Sequence, residues 1–479
     1  MKSITEQLDP IFKPESIAII GASDSPRKWG GRMLNRPLST GYRGAIYPVN
    51  PRIREISGLR SYRSILDIPK PVDLVIMTIP ARMTPEAMKE CVKKGVKGAI
   101  LITAGFSEVG EKGKAIEDEV VRIAKEGGIR LVGPNCMGIL SSSGRLNLSF
   151  ELMPRTGPIS FISQSGTFGV FLSEIANFKG YGLSKFVSIG NQADLTATDY
   201  LEYLAEDEQT KVIVFYMEGF KDGNRFFELA REVVKKKPIL IFKAGRTEAG
   251  TRAAMSHTAS LAGSDAIFDA LCRQAGLIRT DEAMQAFDMA EALTTLPLPP
   301  GRRIAILGSG GMGVVTADAC ASLGLEVPRL KRETIQCLKK IMPPHAPLPT
   351  NPIDFAGSAR TAIDEASVVE TLLSQDYIDG VISNVPINPL VWSYITNPGR
   401  IPKSLLEATK LTIEGAEHFV SLPWKYKKPV ITIRFRKSEN DIVADILKGA
   451  GIPIYDTPEE SARSMFALVK YAEVRRKNR

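Results

Sequence analysis

The sequence has few of the residues from which metal sites and disulfide frameworks are built. Its 479 residues include five cysteines, and no two of them form a CxxC pair. Zinc ribbons and disulfide-rich folds depend on closely spaced cysteines, so neither is predicted. Three histidines are present, His257, His345 and His418, and the HExxH pattern of zinc proteases is missing. We therefore expect reduced cysteines and no metal bound by this chain.

Long apolar runs and an apolar leader are also missing. No stretch approaches the roughly 20 apolar residues of a membrane-spanning helix. The N-terminal segment MKSITEQLDP carries polar residues where a secretory signal needs an apolar stretch. Hydrophobic residues make up 44% and charged residues 24% of the chain, which excludes wholesale disorder. These features predict a globular protein of the cytoplasm with no membrane partner.

The net charge is +9 at pH 7, but the basic residues are dispersed along the chain. No zinc finger and no RNA-binding signature is present, so nucleic acid is not predicted as a partner. Anionic small molecules fit such a charge. A basic surface without a specific function explains the charge equally well.

Short β-branched runs alternate with helical patterns along the whole chain, which is typical of parallel sheets covered by helices on both faces. A chain of this length is expected to form about three domains of roughly 150 residues each. Prolines mark the links, near Met153 to Gly157 and in TTLPLPPG. The predicted fold is α/β, with three doubly wound parallel-sheet domains at residues 1–150, 151–297 and 298–479.

Most strand candidates end in loops of small or polar residues. In the first domain the candidates are SIAII, GAIYPV, DLVIMTI, GAILIT and RLVG. The second domain has PISFIS, KFVSIG, VIVFYM and PILIF, and the third has RIAIL, LEV, GVISNV and PVITI. Ligands of open parallel sheets bind beyond the carboxyl ends of the strands, so these loops are the candidate binding sites.

The second and third domains contain a divergent internal repeat. GPISFISQSGTFG, which begins at Gly157, aligns with GRRIAILGSGGMG, which begins at Gly301. Further along, NQAD at 191–194 aligns with NPID at 351–354. The repeat predicts two similarly folded domains.

The first copy of the repeat carries an insertion. Pro238 and Gly276 are 38 positions apart, whereas the matching Pro429 and Gly451 are 22 positions apart. The first copy therefore holds 16 additional residues. Most of GTRAAMSHTASLAG lies in this insertion. Its small residues bury little surface, and they predict a mobile loop around His257.

His257 is a candidate nucleophile for phosphoryl groups. A neutral imidazole nitrogen attacks activated phosphoryl groups, and small neighbours leave this one reachable. Glu218, at the end of VIVFYM, is the candidate acceptor for one ring N–H, which would fix the tautomer that leaves the other nitrogen nucleophilic. The alternatives are a structural histidine and an exposed Glu218 that pairs with Lys221.

Two glycine turns are candidate phosphate sites, because each is followed by a helix whose free N–H groups and dipole attract anions. The first turn contains Gln164, Ser165 and Gly166, and the second contains Gly310 and Gly311. The symmetry of the repeat would let both helix ends point at one anion. Glycine after a strand can also serve tight packing alone.

The second turn, GSGGMG, also matches the GxGxxG pattern of nicotinamide-binding folds. That pattern requires an acidic residue about 20 positions later, at the end of the next strand. Here the strand LEV has Glu326 inside it and continues into Pro328 and Arg329. A dinucleotide site is therefore the weaker interpretation.

Together these motifs resemble the α subunit of ADP-forming acetyl-CoA synthetases, in the succinyl-CoA synthetase superfamily. The resemblance spans nearly the whole chain. Its most specific pieces are SHTASLAG, SQSGTFG, the carboxylate Glu218, GPNCMG and NPIDFAG. It implies a Rossmann-like CoA-binding domain followed by two flavodoxin-like domains.

The resemblance also implies a reversible reaction in steps. Acyl-CoA and phosphate give acyl phosphate and CoA, and the phosphoryl group then passes to His257. The histidine loop carries it to ADP on an ATP-grasp domain, of which this sequence has no sign. A separate β subunit that binds ADP or ATP with Mg²⁺ is therefore implied, in an α2β2 heterotetramer. Glu218 is similar to the glutamate that orients the histidine in this family.

By the same resemblance the first domain binds coenzyme A. The expected contacts lie at its strand ends, namely Gly21, Ser23, Lys28, Asn50, Pro80, Thr103 and Asn135. A CoA-binding regulatory protein without catalysis and a nicotinamide dehydrogenase are the competing functions. The preferred acyl group is not predicted from the sequence.

Overall fold

The computed structural model describes residues 3–258, 264–356, 362–385, 403–434 and 441–477, and for 254–258 and 403–409 it describes the backbone only. The chain divides into two compact units, residues 1–287 and 288–479. In the described ranges, no helix combines the length and the apolar character that crossing a membrane requires. The three domains predicted from the sequence, with boundaries at 150 and 297, stay a prediction.

The first unit begins with a five-stranded parallel sheet, counted over the described residues. In chain order the strands of this region, including a hairpin outside the sheet, are β1 (Ser16–Ile20), β2 (Ala45–Val49), β3 (Glu55–Ile56), β4 (Leu59–Arg60), β5 (Leu74–Met77), β6 (Gly98–Leu101) and β7 (Arg130–Val132). The sheet has the order β2-β1-β5-β6-β7, and β3 and β4 form a separate hairpin. Strands β1, β5 and β6 are buried along their whole length, as expected for a parallel sheet covered on both faces.

Four α-helices accompany this sheet in the described part of the chain. They are Ile4–Phe12, Trp29–Thr40, Thr84–Lys94 and Glu111–Glu126, with short 3-10 turns at Ile65–Asp67, Ala81–Met83 and Ser107–Val109. The first helix starts with a capping box, in which the Ser3 hydroxyl accepts from Glu6 N and the Glu6 carboxylate accepts from Ser3 N. All five strands predicted for this region are confirmed.

The second sheet of this unit is mixed and has seven described strands. They are β8 (Ile139–Ser141), β9 (Leu146–Asn147), β10 (Thr156–Ser163), β11 (Leu183–Ser188), β12 (Val212–Met217), β13 (Ile239–Lys243) and β14 (Ile278–Thr280). The order is β14-β13-β12-β10-β11-β8-β9, and β8 is antiparallel to both β11 and β9. The hairpin β8-β9 was not predicted, and it joins the second sheet although it precedes residue 150.

Helices connect the strands of the second sheet. They are Gly166–Lys179, Ala197–Glu206, Gly223–Val233, Glu248–Thr258, Asp265–Ala275 and Ala283–Thr295, the last of which runs on into the second unit. The loop predicted for GTRAAMSHTASLAG is wrong at 250–258, which belong to the helix Glu248–Thr258, and its residues 259–263 lie outside the described ranges. Glutamate, alanine, arginine and methionine in EAGTRAAM favour a helix and outweigh its glycine and threonine.

The second unit contains a parallel sheet with the order β15-β16-β17-β18, as far as its residues are described. The strands are β15 (Ile304–Leu307), β16 (Gly380–Asn384), β17 (Val430–Ile433) and β18 (Ile454–Tyr455). Its helices are Gly311–Ser322, Arg332–Lys339, Ala362–Leu373, Lys403–Tyr426, Ile442–Gly449 and Pro458–Lys477. The predicted strand LEV is wrong, because only Glu326 forms an isolated bridge, to Arg303. Pro328 lacks the N–H that a longer ladder would need.

Candidate active site

A cavity of about 590 Å³ lies at the carboxyl ends of the strands of the first unit. Four residues predicted as ligands from the sequence line it. The full lining is Trp29, Ile102, Ala104, Asn135, Cys136, Met137, Gln164, Ser165, Gly166, Thr167, Gly190, Asn191, Gln192, Gly219, Phe220 and Lys221. The cavity therefore brings the predicted phosphate turn and one predicted CoA contact, Asn135, to the same place.

The turn after β10 leads directly into the helix Gly166–Lys179. Ser165 is the N-cap, with extended backbone, and its side chain makes no capping hydrogen bond. The Ser163 hydroxyl donates to Ser165 O at 2.6 Å and so stabilises the turn. A Cβ on Gly166 would lie 2.4 Å from Met137 Cγ, which only glycine avoids. The N–H groups of the first helical turn have no partners within the helix and carry its positive dipole end, as an anion site requires.

Gln164 organises the neighbouring strand end. Its Oε1 accepts hydrogen bonds from Glu218 N at 2.9 Å and from Gly219 N at 3.1 Å. The backbone N–H of Gln164 donates to Tyr216 O at 3.0 Å. The amide oxygen thus fixes the backbone that presents Glu218, a contribution that the sequence did not indicate.

Glu218 follows β12 and is buried, with 4% of its surface exposed. This burial contradicts the alternative of a glutamate at an exposed turn. Burial, together with the negative charge of Glu218, raises the pKa of the Tyr216 hydroxyl to about 12. A buried carboxylate at a strand end is suited to accept a hydrogen bond from an imidazole.

Position 257 lies near the end of the helix Glu248–Thr258. The His257 side chain lies outside the described part of the chain. Its contact with Glu218 therefore stays a prediction, as does its phosphorylation.

The predicted CoA contacts of the first sheet lie at strand ends. Gly21 has φ +92°, and its carbonyl oxygen would lie 1.9 Å from a Cβ on Gly30, so the following helix packs closely against this turn. Gly30 was not predicted. The Ser23 hydroxyl accepts from Ser25 N at 3.1 Å, and Lys28 is the N-cap of the helix Trp29–Thr40.

Three further predicted CoA contacts have roles within the chain. The Asn50 Nδ2 donates to Ala22 O at 2.8 Å, and its Oδ1 accepts from Arg52 N at 2.9 Å. The Thr103 hydroxyl donates to Ile79 O at 2.7 Å. Pro80 precedes the 3-10 turn Ala81–Met83. These side chains shape the rim of the sheet, and their contact with CoA stays a prediction.

The sequence did not indicate a cluster of polar side chains beside the cavity. Asn191 Nδ2 lies 2.7 Å from Glu108 Oε2, 3.0 Å from Glu117 Oε2 and 3.1 Å from Ser107 Oγ. Burial opposes ionisation of Glu108, but hydrogen bonds from Asn191 and from nearby backbone N–H groups prevail and lower its pKa. The one feature of the sequence that pointed to Asn191 was the alignment of NQAD at 191–194 with NPID at 351–354.

The second glycine turn lies in the second unit, between β15 and the helix Gly311–Ser322. Gly310 has φ +52°, and its N–H donates to Asp354 Oδ2 at 3.0 Å. Asp354 Oδ1 accepts from Ala356 N at 2.8 Å. Asn384 Nδ2 donates to the Ser309 hydroxyl at 3.3 Å. A carboxylate therefore already holds one of the donors predicted to bind phosphate, while phosphate binding by Gly310 and Gly311 stays a prediction.

Known proteins resemble this chain over nearly its whole length. Residues 15–142 match the family described as CoA binding domain, and residues 156–293 match the succinyl-CoA ligase like flavodoxin domain. The α subunit of acetate–CoA ligase (ADP-forming) II from Pyrococcus furiosus is 39% identical over 97% of this chain and 98% of that one. Acetate–CoA ligase (ADP-forming) II from Archaeoglobus fulgidus is 37% identical over 98% of this chain, which spans 67% of its length.

A solved structure also resembles the chain over nearly its whole length. It is the dinucleotide forming acetyl-coenzyme A synthetase 1 of Ca. Korarchaeum cryptofilum in complex with phosphate and ADP. It is 34% identical, with a TM-score of 0.85, over 98% of this chain and 97% of that chain. The α/β class predicted from the sequence is confirmed by this similarity and by the mainly parallel sheets.

Proposed function

This chain belongs to the family of ADP-forming acetate–CoA ligases, and from that membership we propose that it is the α-type subunit of a cytoplasmic acyl-CoA synthetase. The family predicted from the sequence is thereby confirmed. The proposed reaction converts acyl-CoA, ADP and phosphate into the free acid, ATP and CoA, and it is reversible. Acetyl-CoA is the first substrate to test, because the relatives are named as acetate–CoA ligases.

The observation that carries the proposal is the pairing of an anion-binding helix end with a buried carboxylate. Ser165 and Gly166 line the cavity, and Gln164 hydrogen-bonds the backbone of Glu218. Phosphate bound at the helix end is held by N–H donors and the helix dipole. In the proposed function, the carboxylate of Glu218 orients an imidazole that approaches this phosphate.

The proposed chemistry proceeds in two transfers. An oxygen of phosphate attacks the thioester carbon, the C–S bond breaks, and CoA leaves as a thiolate that is then protonated. An imidazole nitrogen of His257 next attacks the phosphorus of the acyl phosphate, and the P–O bond to the carboxylate breaks. Glu218 accepts the hydrogen bond of the other ring N–H and stabilises the ring as its charge changes. The free acid departs, and the phosphoryl group stays on His257.

ATP formation requires a nucleotide site, which we place on a second subunit. The A. fulgidus relative is longer than this chain, which spans 67% of its length. The P. furiosus relative is named as an α subunit, which implies a partner subunit there. We propose an ATP-grasp partner that binds ADP with Mg²⁺, assembled with this chain as an α2β2 heterotetramer.

The competing functions fit the structure less well. A nicotinamide dehydrogenase would place a pyrophosphate at the second glycine turn, where the carboxylate of Asp354 accepts from Gly310 N. That negative charge opposes the two phosphates of a dinucleotide, and it also weighs against the phosphate predicted at Gly310 and Gly311. A CoA-binding regulatory protein is not favoured, because the named relatives are ligases.

Labelling tests the proposed function directly. The purified full chain is mixed with acetyl-CoA and labelled phosphate, and the label is mapped after proteolysis. We expect acid-labile phosphate on His257, and we expect His257→Ala to abolish labelling while CoA binding persists. Labelling that persists in His257→Ala would remove this residue from the mechanism. A nicotinamide dehydrogenase would instead bind NADH and not CoA.

A further inference from the structure

The loop 190–195 follows β11 of the second sheet but hydrogen-bonds to the end of the first sheet. Asn191 N donates to Pro134 O at 3.0 Å, and Ala193 N donates to Gly133 O at 3.1 Å. A Cβ on Gly190 would lie 2.1 Å from Pro134 O, so only glycine permits this approach. The two sheets of the first unit are therefore linked at the rim of the cavity.

The side chain of Asn191 extends this link on both sides. Its Oδ1 accepts from Asn135 Nδ2 at 3.3 Å, and Asn135 is itself held by a hydrogen bond from its N–H to Thr103 O. Its Nδ2 reaches the carboxylates of Glu108 and Glu117. An amide nitrogen carries two hydrogens, so it can satisfy both carboxylates at once.

Glu108 transmits this contact to the rim of the first sheet. Its Oε1 accepts from Gly105 N at 2.5 Å and from Phe106 N at 3.1 Å, in the loop that follows β6. The carboxylates of Glu108 and Glu117 repel each other, and the amide that donates to both offsets this repulsion. The amide of Asn191 therefore holds this loop, and it holds the Asn135 side chain at the cavity that Ser165 also lines.

From these contacts we propose that Asn191 is a positioning residue that aligns the CoA-binding sheet with the phosphate turn. The proposal rests on the function proposed above, since it assigns CoA to the first sheet and phosphate to Ser165 and Gly166. Asn191 acts through Asn135 and through Glu108. It thereby sets the distance between the thioester and the attacking phosphate.

Titration of CoA into the full-length chain tests this role without requiring catalysis. In Asn191→Ala the two carboxylates lose their shared donor, and we expect the CoA dissociation constant to rise about tenfold or more. His257 labelling from acetyl-CoA should slow as well. The matched control is Asn177→Ala, since Asn177 Oδ1 accepts from Arg155 N at the far end of the helix Gly166–Lys179. The control should leave both measurements unchanged.

Asn191→Asp separates positioning from a general loss of structure. The new carboxylate faces Glu108 and Glu117. The nearby charged groups are Lys114, whose Nζ lies 3.9 Å from Glu117, and Asp194 of the same loop, which is paired with Arg130. The two facing acids raise the pKa of the new carboxylate, and only its protonated form donates a hydrogen bond. Lowering the pH from about 8 to about 6 should therefore restore CoA binding, so that the CoA dissociation constant of Asn191→Asp, divided by that of the unaltered chain, decreases. For Asn191→Ala this ratio should stay flat.

The outcomes separate the two proposals. The role of Asn191 is overturned if Asn191→Ala binds CoA and labels His257 as the unaltered chain does. It is also overturned if the ratio of CoA dissociation constants for Asn191→Asp does not change with pH. An unaltered chain that binds CoA but takes no label refutes the phosphohistidine step. In that case the CoA titrations still decide whether Asn191 positions the first sheet.

Discussion

The two copies of the internal repeat use the same four-residue motif for different tasks. In the first copy Asp194 accepts from Arg130 Nε at 3.0 Å and from Leu131 N at 2.9 Å, so it holds β7 of the CoA-binding sheet. In the second copy Asp354 accepts from Gly310 N and so holds the glycine turn of its own domain. The aspartate of the motif therefore binds a neighbouring sheet in the first copy and the glycine turn in the second.

The asparagines of the motif differ in the same way. Asn191 contacts the carboxylates of Glu108 and Glu117, beyond β6 of the first sheet, whereas Asn351 Nδ2 donates to two carbonyls in its own domain, those of Ile304 and Pro328. The aligned motif in this chain thus keeps its asparagine and its aspartate but not their partners. In the first copy the motif supports contacts between sheets, and in the second it stabilises one sheet. The strand after the first glycine turn, β11, spans six residues, but its counterpart is reduced to a bridge at Glu326.

The largest effect should come from a residue that distinguishes the first copy, the carboxylate at the end of β12. We expect Glu218→Gln to slow labelling of His257 by about a thousandfold, as when the acid that orients a catalytic histidine is lost. The substitution keeps the shape and the burial of the side chain. The rate is measured by rapid quench with labelled phosphate, and Glu228→Gln on the exposed face of the next helix is the control. A rate within a factor of two of the unaltered chain would remove Glu218 from this role.

The next effect concerns Asp194, on which the link between the sheets depends. Asp194→Ala removes the carboxylate that accepts from Arg130 Nε at 3.0 Å, although Asp199 stays 3.6 Å from the mostly buried guanidinium. We expect a loss of about 2 to 3 kcal/mol of stability. Hydrogen exchange of the β7 amides in urea measures this loss locally. Asp118→Ala, which removes an exposed ion pair with Lys114, should cost no more than about 0.5 kcal/mol. Equal protection of β7 in both variants would contradict the assigned role of Asp194.

Alanine at the first residue of each helix, Gly166 and Gly311, sharpens the comparison of the two helix ends. A Cβ on Gly166 would lie 2.4 Å from Met137 Cγ, whereas a Cβ on Gly311 meets no atom within 4 Å. We expect Gly166→Ala to cost about 1 to 3 kcal/mol through overpacking. Gly311→Ala should be neutral or stabilise by up to about 1 kcal/mol, since alanine favours a helix. Urea unfolding curves of the two variants decide this, and equal shifts would show that the packing of the two ends does not differ.

The sequence was sufficient to predict most strands and the place of the site, but not the contacts around it. Buried β-branched runs such as SIAII have one stable environment, a covered parallel sheet, so their prediction succeeded. The hairpin β8-β9 has strands of three and two residues, too short for a periodic signal. Asn191 and Glu108 are 83 positions apart, and no local pattern indicates that they meet. Strand ends identify candidate residues, whereas their partners depend on how sheets pack.

The smallest expected effect would test whether Asp354 lowers the anion affinity of the second helix end. Asp354→Asn keeps an oxygen that can accept from Gly310 N but removes the negative charge. A charge near a helix N-terminus contributes about 0.3 to 1 kcal/mol, so phosphate affinity should rise about two- to fivefold. Phosphate is titrated into Asp354→Asn in a Gly166→Ala background, so that binding at the first turn is weakened. The increase should shrink with added salt, because screening weakens the repulsion between the carboxylate and the anion. An affinity that does not change at low salt would mean that Asp354 shapes the turn without competing for it, and the two copies would then differ in packing alone.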